Sequence, residues 1–265
     1  MKSALRGSVV LTQPALRVAG LRDALSHAGY AVLHWPMSVI EPIPGVDWAT
    51  LRRELAACQW VLFPSPGAID VVMQRWVDCA WPWPVSCGIG LIGPGSREAL
   101  QAWMPSVAGL REAPLLEPPG PVYDADALLA CPALQQLDRV AVAVLRRHDG
   151  RQAWLDTLRA RGAALRACEV YQVQACSLTD DAALWLAQRQ RSGEPIVFSI
   201  ASGEAGRALA DAVAGQPYAA WTLSQAVLTQ HPRIAARLSE QGWSRVIEHP
   251  PGLSGLLRAL ESASS

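Results

Sequence analysis

Four short segments of this chain combine the residue types that bind anions at the start of a helix. Each mixes small residues with hydroxyls or free N–H groups, and they span residues 65–68, 93–96, 147–151 and 199–203. Helix N-termini carry unpaired N–H groups and a partial positive charge, so they bind carboxylates or phosphates without lysine or arginine. Any one segment taken alone is better explained as an ordinary capped turn. The four together favour a shared anion-binding cleft.

The patterns of the common catalytic sites do not occur in the sequence. Gly93-Pro94-Gly95 is no dinucleotide fingerprint because no third glycine stands at the helix start, and neither a P-loop nor a nucleophile elbow is present. The histidines show no metal-ligand spacing; they are His27, His34, His148, His231 and His249. The sequence therefore predicts no metal and no cofactor. An enzyme of this kind depends on positioning a substrate that is reactive in itself.

Composition narrows the class of partner. Acidic and basic residues number 23 each, which argues against nucleic acid, and 51% of the residues are hydrophobic, which is enough for a packed core. No run approaches the ~20 apolar residues of a membrane span, and Val9-Val10-Leu11 is too short for the apolar core of a signal peptide. Six cysteines without a CxxC pair indicate free thiols in a reducing compartment. We expect a cytoplasmic protein that contacts neither nucleic acid nor a membrane.

Short β-rich runs alternate with helical periodicity, which indicates an α/β fold with parallel sheets. Strands are expected at 8–11, 31–35, 60–63, 88–92, 139–145, 164–172, 196–199, 220–223 and 245–248. Helices are expected at 15–29, with Leu16, Leu21 and Leu25 on one face, at 47–58, 68–77 and 96–103, after Asp124, and at 151–161, 180–190, 203–213, 232–241 and 253–261. The proline-containing segment 40–45 fits neither a helix nor a central strand, so it is interpreted as a crossing between lobes.

A weak internal repeat points to two similar lobes. Residues 60–68 and 196–203 each run from a hydrophobic strand through a serine-bearing turn into a helix. The two strands before the crossing are too few to make a lobe, so we expect them to complete the sheet that begins after residue ~172. One lobe is then discontinuous and the other is inserted into it.

A set of motifs runs through nearly the whole chain in a fixed order. It comprises Val10-Leu11-Thr12-Gln13-Pro14, Phe63-Pro64-Ser65-Pro66-Gly67-Ala68, residues 92–100, Val144-Leu145-Arg146, Gly150-Arg151, Arg161-Gly162-Ala163, Glu169-Val170-Tyr171, Val197-Phe198-Ser199 and residues 231–235. No single motif is specific, but the ordered set resembles the uroporphyrinogen-III synthase family.

The resemblance implies two flavodoxin-like lobes with parallel sheets, one lobe discontinuous, joined by a two-segment extended hinge. On this sequence the discontinuous lobe would be 1–36 plus 174–265, the inserted lobe 42–167, and the hinge 37–41 and 168–173. The resemblance also implies a cofactor-independent hydro-lyase of porphyrin and heme biosynthesis. It would act in the cytoplasm as a monomer that contacts hydroxymethylbilane synthase transiently.

The implied substrate is hydroxymethylbilane, a linear tetrapyrrole rich in carboxylates. Loss of water from its hydroxymethyl group gives an azafulvene-type cation, which the other end of the chain attacks at a substituted carbon. The resulting spiro intermediate fragments and recloses as uroporphyrinogen III, with the last ring inverted. Because the substrate alone cyclises to the wrong isomer, the protein must fold the chain and assist the departing hydroxyl.

Tyr171 matches the family's tyrosine, whose phenol can donate a hydrogen bond or a proton to the leaving oxygen. The alternative is a ring that merely packs at a strand end. The substrate-binding positions that the resemblance carries over are Thr12, Ser65, Pro66, Gly67, Ala68, Gly93, Gly95, Ser96, Arg146, Gly150, Ser199, Ala201, Ser202, Gly203 and His231. The loop positions among them are expected to act mainly through backbone N–H groups.

Three positions depart from the family pattern. Gln13 stands where arginine is usual, Pro64 where threonine is common, and Arg147-His148-Asp149 where the segment is usually glycine-rich. The side chain of Arg147 is expected in solvent. These departures keep open an alternative, namely a non-catalytic two-lobed relative that binds tetrapyrroles or anions for regulation. An exported solute-binding protein is disfavoured because no export signal is present.

Overall fold

The chain forms two compact units. The computed structural model describes residues 6–15, 18–250 and 252–263, without the side chain of Ala19; Leu16 of the expected first helix lies outside these residues. Unit 1 comprises Met1–Val39 and Gln174–Ser265, and unit 2 comprises Ile40–Val173. Across the described ranges, no helix has both the length and the apolar character needed to cross a membrane.

The helices and strands follow the alternating order that the sequence predicts. In chain order they are β1 (Gly7–Leu11), α1 (Ala19–His27), β2 (Tyr30–His34), β3 (Ser38–Pro42), α2 (Trp48–Ala56), β4 (Trp60–Phe63), α3 (Pro66–Asp78), β5 (Gly88–Leu91), α4 (Pro94–Trp103), β6 (Leu115–Leu116), α5 (Ala125–Leu129), β7 (Ala141–Arg147), α6 (Ala153–Ala160), β8 (Ala164–Ala175), α7 (Asp180–Ser192), β9 (Ile196–Ser199), α8 (Gly203–Val213), α9 (Ala219–Ser224), β10 (Ala226–Thr229), α10 (Pro232–Glu240), β11 (Arg245–Glu248) and α11 (Leu253–Ala263).

Unit 1 is built on a parallel sheet with the strand order β11-β10-β9-β1-β2. Counted along the chain, this is the order 2-1-3-4-5 of flavodoxin-like sheets. The three central strands are almost wholly buried, because helices cover both faces. One core contains residues of α1 and α11, and the other contains residues of α7, α8 and α10. The order reverses between β1 and β9, which is therefore the topological switch point.

Unit 2 contains the strand order β3-β8-β7-β4-β5-β6, and the pairs from β8 to β6 are parallel. If β7, β8, β4, β5 and β6 are numbered 1 to 5, their order in the sheet is again 2-1-3-4-5. The two sheets therefore share one topology and differ by a circular permutation of the chain. With this numbering, β4 of unit 2 and β9 of unit 1 are both strand 3 of their sheets. The repeat seen in the sequence is thus a repeat of structure, and the switch point of unit 2 lies between β7 and β4.

The structure corrects several expected elements. Residues 220–223 belong to α9 and not to a strand, and the strand lies in the next segment, Ala226–Thr229. Trp221 and Thr222 favour strands intrinsically, but the position between β9 and β11 goes to the segment that can be buried completely. The segment 40–45 contributes the end of an edge strand, Ser38–Pro42, where proline is tolerated. The two-residue strand β6 was not expected, and α1 begins at Ala19, later than predicted.

Candidate functional site

The switch point of unit 2 gathers several of the predicted residues at one edge of the sheet. In doubly wound sheets, ligands bind at the carboxyl ends of the strands on either side of this point. Here β4 ends at Phe63 and leads into α3, while β7 ends at Arg147 and leads into a turn before α6. Strand β8, which carries Tyr171, is the other neighbour of β7.

A β-bulge in β8 sets the direction of Tyr171. Arg146 pairs with Glu169 and Arg147 pairs with Tyr171, so Val170 is an extra residue in the ladder. Paired residues of adjacent strands share a face, so Glu169 and Tyr171 project from opposite faces. A regular strand would have placed these two residues, which are two apart in sequence, on the same face. The bulge therefore places the tyrosine on the face opposite Arg146 and Glu169, and on the same face as Arg147.

The phenol of Tyr171 is hydrogen-bonded to the residue that caps α3. Ser65 Oγ lies 2.8 Å from the Tyr171 hydroxyl, and the Ala68 N–H donates to the same Oγ at 3.4 Å. Burial raises the pKa of Tyr171 above its ordinary value, and the Ser65 hydrogen bond and the charge of Arg147 offset part of this rise. The phenol is therefore protonated at neutral pH and can act as a donor.

Gly67 brings the start of α3 against the ring of Tyr171. A Cβ at this position would lie 3.2 Å from Cε2 and Cζ of Tyr171 and 3.1 Å from Cδ1 of Ile40. Pro66 has no N–H and Ser65 accepts the Ala68 N–H, so Gly67 carries the remaining amide of the first turn, close to the ring. Of the four residues from Ser65 to Ala68, Ser65 and Gly67 thus lie directly beside the tyrosine.

The turn after β7 is organised by charged side chains. Arg146 is buried, and its guanidinium donates to Glu169 Oε1 at 2.8 Å, to Gln152 Oε1 at 3.2 Å and to the Arg151 carbonyl at 3.3 Å. Glu169 Oε2 lies 2.7 Å from His148 Nδ1. Hydrogen bonds from Arg146 and His148 lower the pKa of Glu169, so the carboxylate is ionised. Arg146, predicted as a substrate-binding residue, is engaged in holding the turn.

Arg147 and Gly150 belong to the same turn. Arg147 is exposed, which confirms the expectation of a solvated side chain. Gly150 lies next to Arg146: its N–H donates to the Arg147 carbonyl at 3.1 Å, and a Cβ would be 3.7 Å from Arg146 Cδ. Gly150 therefore closes the turn over the buried guanidinium.

The loop after β5 is more open. Gly93 occupies the N-cap position of α4 without a side-chain hydrogen bond, and Pro94 follows at the first helical position. Ser96 is buried, whereas Gly95 is exposed and lies in the first turn of α4, whose N–H groups have no partner within the helix. Tyr123 covers Gly93, since a Cβ there would lie 2.9 Å from Tyr123 Cβ. The binding of a carboxylate by this loop stays a prediction.

At the switch point of unit 1, the residues after β1 hold the end of β9. Thr12 Oγ1 donates to the Ser199 carbonyl at 2.8 Å, and the Thr12 N–H donates to the same oxygen at 3.3 Å. Gln13 Nε2 donates to Ser199 Oγ at 2.9 Å. Thr12 and Ser199 are buried. Gln13 stands where arginine is usual in the family. It contributes a neutral hydrogen bond to Ser199, whereas an arginine would also bring a positive charge.

The remaining predicted residues of unit 1 lie at two helix starts. Ser202 caps α8, with Oγ accepting the Ala205 N–H at 3.0 Å, and Ala201 before it is exposed. Gly203 is buried beneath the neighbouring helix, since a Cβ there would lie 2.9 Å from Cδ of Arg237. His231 caps α10 by accepting the Arg233 N–H at Nδ1, 3.2 Å away. The start of α8 thus lies beside the side chain of Arg237.

Sequence reasoning missed the contacts that organise both sites. Ser65 and Tyr171 are 106 residues apart in the sequence. Glu169 was predicted only as part of the motif Glu169-Val170-Tyr171, without a role of its own. No local spacing signals such pairs, because the partners lie on different strands and meet only through the sheet order. Within the described residues, no three side chains of the metal-binding types cluster.

Comparisons with known proteins agree with this fold. A sequence model of the family described as uroporphyrinogen-III synthase HemD matches residues 19–258. The chain belongs to the uroporphyrinogen-III synthase family. The Escherichia coli (strain K12) uroporphyrinogen-III synthase is 28% identical over 258 residues, covering 96% of this chain and 100% of the relative. The Salmonella typhimurium protein of the same name is 27% identical over the same shares.

Solved structures of the family share the fold. A mutant uroporphyrinogen III synthase from the extremely thermophilic bacterium Thermus thermophilus superposes with a TM-score of 0.55, at 15% identity, over 97% of this chain and 98% of the other. The Helicobacter pylori uroporphyrinogen-III synthetase gives a TM-score of 0.53 at 14% identity, over 97% and 99%. These matches confirm the two-lobed α/β fold with parallel sheets that the sequence predicted.

Proposed function

We propose that this member of the uroporphyrinogen-III synthase family cyclises hydroxymethylbilane to uroporphyrinogen III, with inversion of the terminal pyrrole ring and loss of water. The observation that carries the proposal is the hydrogen bond of 2.8 Å between Tyr171 and the helix-capping Ser65, at the switch point of unit 2. It presents a buried, protonated phenol where this fold binds its ligands. Family membership supplies the substrate.

In the proposed reaction, Tyr171 assists the departure of the substrate's hydroxyl group. The phenol donates a hydrogen bond to the leaving oxygen as the pyrrole nitrogen expels it, so the C–O bond breaks and water leaves with the phenolic proton. Charge that develops on the phenol oxygen is stabilised by the Ser65 hydroxyl and by Arg147, the two groups that oppose the rise in its pKa. The proton released when the macrocycle closes restores the phenol.

Carboxylate groups are proposed to bind at helix starts. In unit 2 the exposed residue Gly95, in the first turn of α4, supports this role. In unit 1 the capped start of α8 lies beside the side chain of Arg237, and that charge adds to the helix dipole. These contacts need few cationic side chains besides the backbone donors, which suits a chain of zero net charge.

We further propose that the enzyme is a cofactor-independent lyase, because the azafulvene cation supplies the reactivity by itself. Its six cysteines are all free, which supports work in the reducing cytoplasm. We propose that the enzyme acts as a monomer. Transient contact with hydroxymethylbilane synthase is supported by the lability of the substrate, which closes to the wrong isomer when left in water.

A coupled assay tests the proposal. Freshly generated hydroxymethylbilane is added to the protein, and the III and I isomers of uroporphyrinogen are separated by chromatography. We expect the III isomer to dominate with the native chain, and Tyr171→Phe to return the product towards the I isomer. Exclusive formation of the I isomer by the native chain would overturn the proposal and leave the alternative, a non-catalytic tetrapyrrole-binding relative. Binding without turnover would then be its signature.

A further inference from the structure

His148 lies at the carboxyl edge of the unit 2 sheet and is held there from two sides. Its ring nitrogen Nδ1 is 2.7 Å from Glu169 Oε2, and its backbone N–H donates to the Tyr171 carbonyl at 2.8 Å. Glu169 is itself fixed by the buried Arg146 at 2.8 Å. The imidazole is therefore oriented both by a side chain and by the backbone. A histidine that served only to keep the surface polar would not need such a fixed orientation.

The second nitrogen of the ring faces outward. The His148 side chain is 54% exposed, and its Nε2 lies 3.5 Å from a carboxylate oxygen of Asp149, whose own side chain is 84% exposed. With Glu169 accepting at Nδ1, a charged ring presents the proton on Nε2 away from the sheet. Asp149 shows that a carboxylate can occupy this position, and its exposure leaves it able to move aside.

The charged groups around the ring favour its cationic form. The hydrogen bond to Glu169 and the charge of Asp149 raise the pKa of His148 above its ordinary value, and partial desolvation and the charge of Arg146 oppose them. A raised pKa keeps the ring charged to higher pH, and the charge is lost as the pH rises through that value.

We propose that His148 is a further substrate-binding residue, whose Nε2–H donates to a carboxylate of the tetrapyrrole in the place that Asp149 now occupies. Glu169 acts as a positioning residue through the imidazole. The inference rests on the proposed function for the identity of the carboxylate. It assigns a task to the Arg147–Asp149 departure from the family pattern, where a glycine-rich turn could offer only backbone donors.

Three variants test this role. His148→Gln should raise KM for hydroxymethylbilane about tenfold at pH 7, with kcat changed less than about twofold, because a charge-assisted hydrogen bond to the substrate is lost. Glu169→Gln should lower the pKa of His148, read from the histidine ring signals by NMR, and should move the alkaline rise of KM to lower pH. Asp149→Asn, assayed at about pH 5.5 so that the His148 ring stays charged without the help of Asp149, should lower KM because a competing carboxylate is removed.

His27→Gln is the matched control, since His27 is also an exposed histidine and lies in unit 1; it should leave KM unchanged. An unaltered KM in His148→Gln, with the III isomer still formed, would overturn the inference while the proposed function stands. Equilibrium binding of uroporphyrin III, followed by tryptophan fluorescence, tests the carboxylate site independently of the proposed enzymatic function. If the native chain forms no III isomer but binds uroporphyrin III in a manner that His148→Gln weakens, the carboxylate site stands and the enzyme assignment fails.

Discussion

The loop after β4 in unit 2 and the loop after β9 in unit 1 hold the same place in their sheets and both end in a serine that caps a helix. Among the described residues, the Ser202 side chain hydrogen-bonds only in the cap, with Oγ accepting the Ala205 N–H at 3.0 Å. Ser65 divides its Oγ between a longer bond from Ala68, at 3.4 Å, and the phenol of Tyr171, at 2.8 Å. One turn therefore starts a helix, and the other also orients a reactive group.

The neighbours of the two loops explain the difference. In unit 2 the bulged strand β8 carries a tyrosine to the helix start, and Gly67 leaves room for its ring. In unit 1 the residues after β1 hold the strand end through Ser199, and the side chain of Arg237 lies over Gly203. A repeated backbone framework thus carries a tyrosine in one unit, for which we propose a role as proton donor, and an arginine side chain in the other. We expect catalytic effects to be concentrated in unit 2.

The largest expected effect is that of Tyr171→Phe. Loss of the phenol should lower the rate of III-isomer formation by about 100-fold or more, which is typical of a removed general acid. The ring and its packing remain, so the melting temperature should change little. Chromatography of the product isomers gives the first quantity and calorimetry the second. Unchanged turnover would remove Tyr171 from the mechanism and reduce it to a packed ring.

A smaller effect is expected from Gly67→Ala. The added Cβ would stand 3.1–3.2 Å from Tyr171 and Ile40, so the ring must shift by a few tenths of an ångström. Misplacement of a catalytic group on this scale should lower kcat about tenfold. Gly20→Ala, at the same helical position of α1, is the control, since its Cβ would meet nothing within 4 Å. Equal activity of the two variants would show that the ring needs no such placement.

The two cap serines offer the most direct comparison. Ser65→Ala and Ser202→Ala should each destabilise the protein by about 1 kcal/mol, because each leaves a first-turn N–H without its partner. Ser65→Ala should in addition lower kcat about five- to tenfold, since the phenol loses its hydrogen bond. Thermal unfolding and the isomer assay measure both quantities. A similar loss of kcat in Ser202→Ala would contradict the division of roles between the units.

The smallest effect concerns alkaline pH. Because burial raises the pKa of Tyr171, its proton is retained to a higher pH than in a free phenol, and the rate should not fall on its account below about pH 10. Initial rates at saturating substrate from pH 7 to 10 provide the measurement. A decline with a midpoint near pH 8 that disappears in Tyr171→Phe would show that the phenol ionises early, contrary to its burial.

Much of the architecture could be predicted from the sequence because its causes are local. The alternation of apolar runs and helical periodicity predicts the parallel sheets, and Asp47 and Asp124 cap the helices that were expected to begin at them. The exception is informative. Residues 220–223 have strand-forming side chains but form α9, and Ala226–Thr229 enters the sheet, because a central position is decided by burial between two neighbours.

The residues with suitable chemistry are evident from the sequence: the tyrosine of Glu169-Val170-Tyr171, and the serines and glycines that precede helices. How they are used depends on the fold. The bulge at Val170 turns Tyr171 towards Ser65, and the same ladder turns Glu169 towards Arg146 and His148 on the other face. Such choices depend on strand register, which a single insertion reverses and which no local pattern of residues encodes.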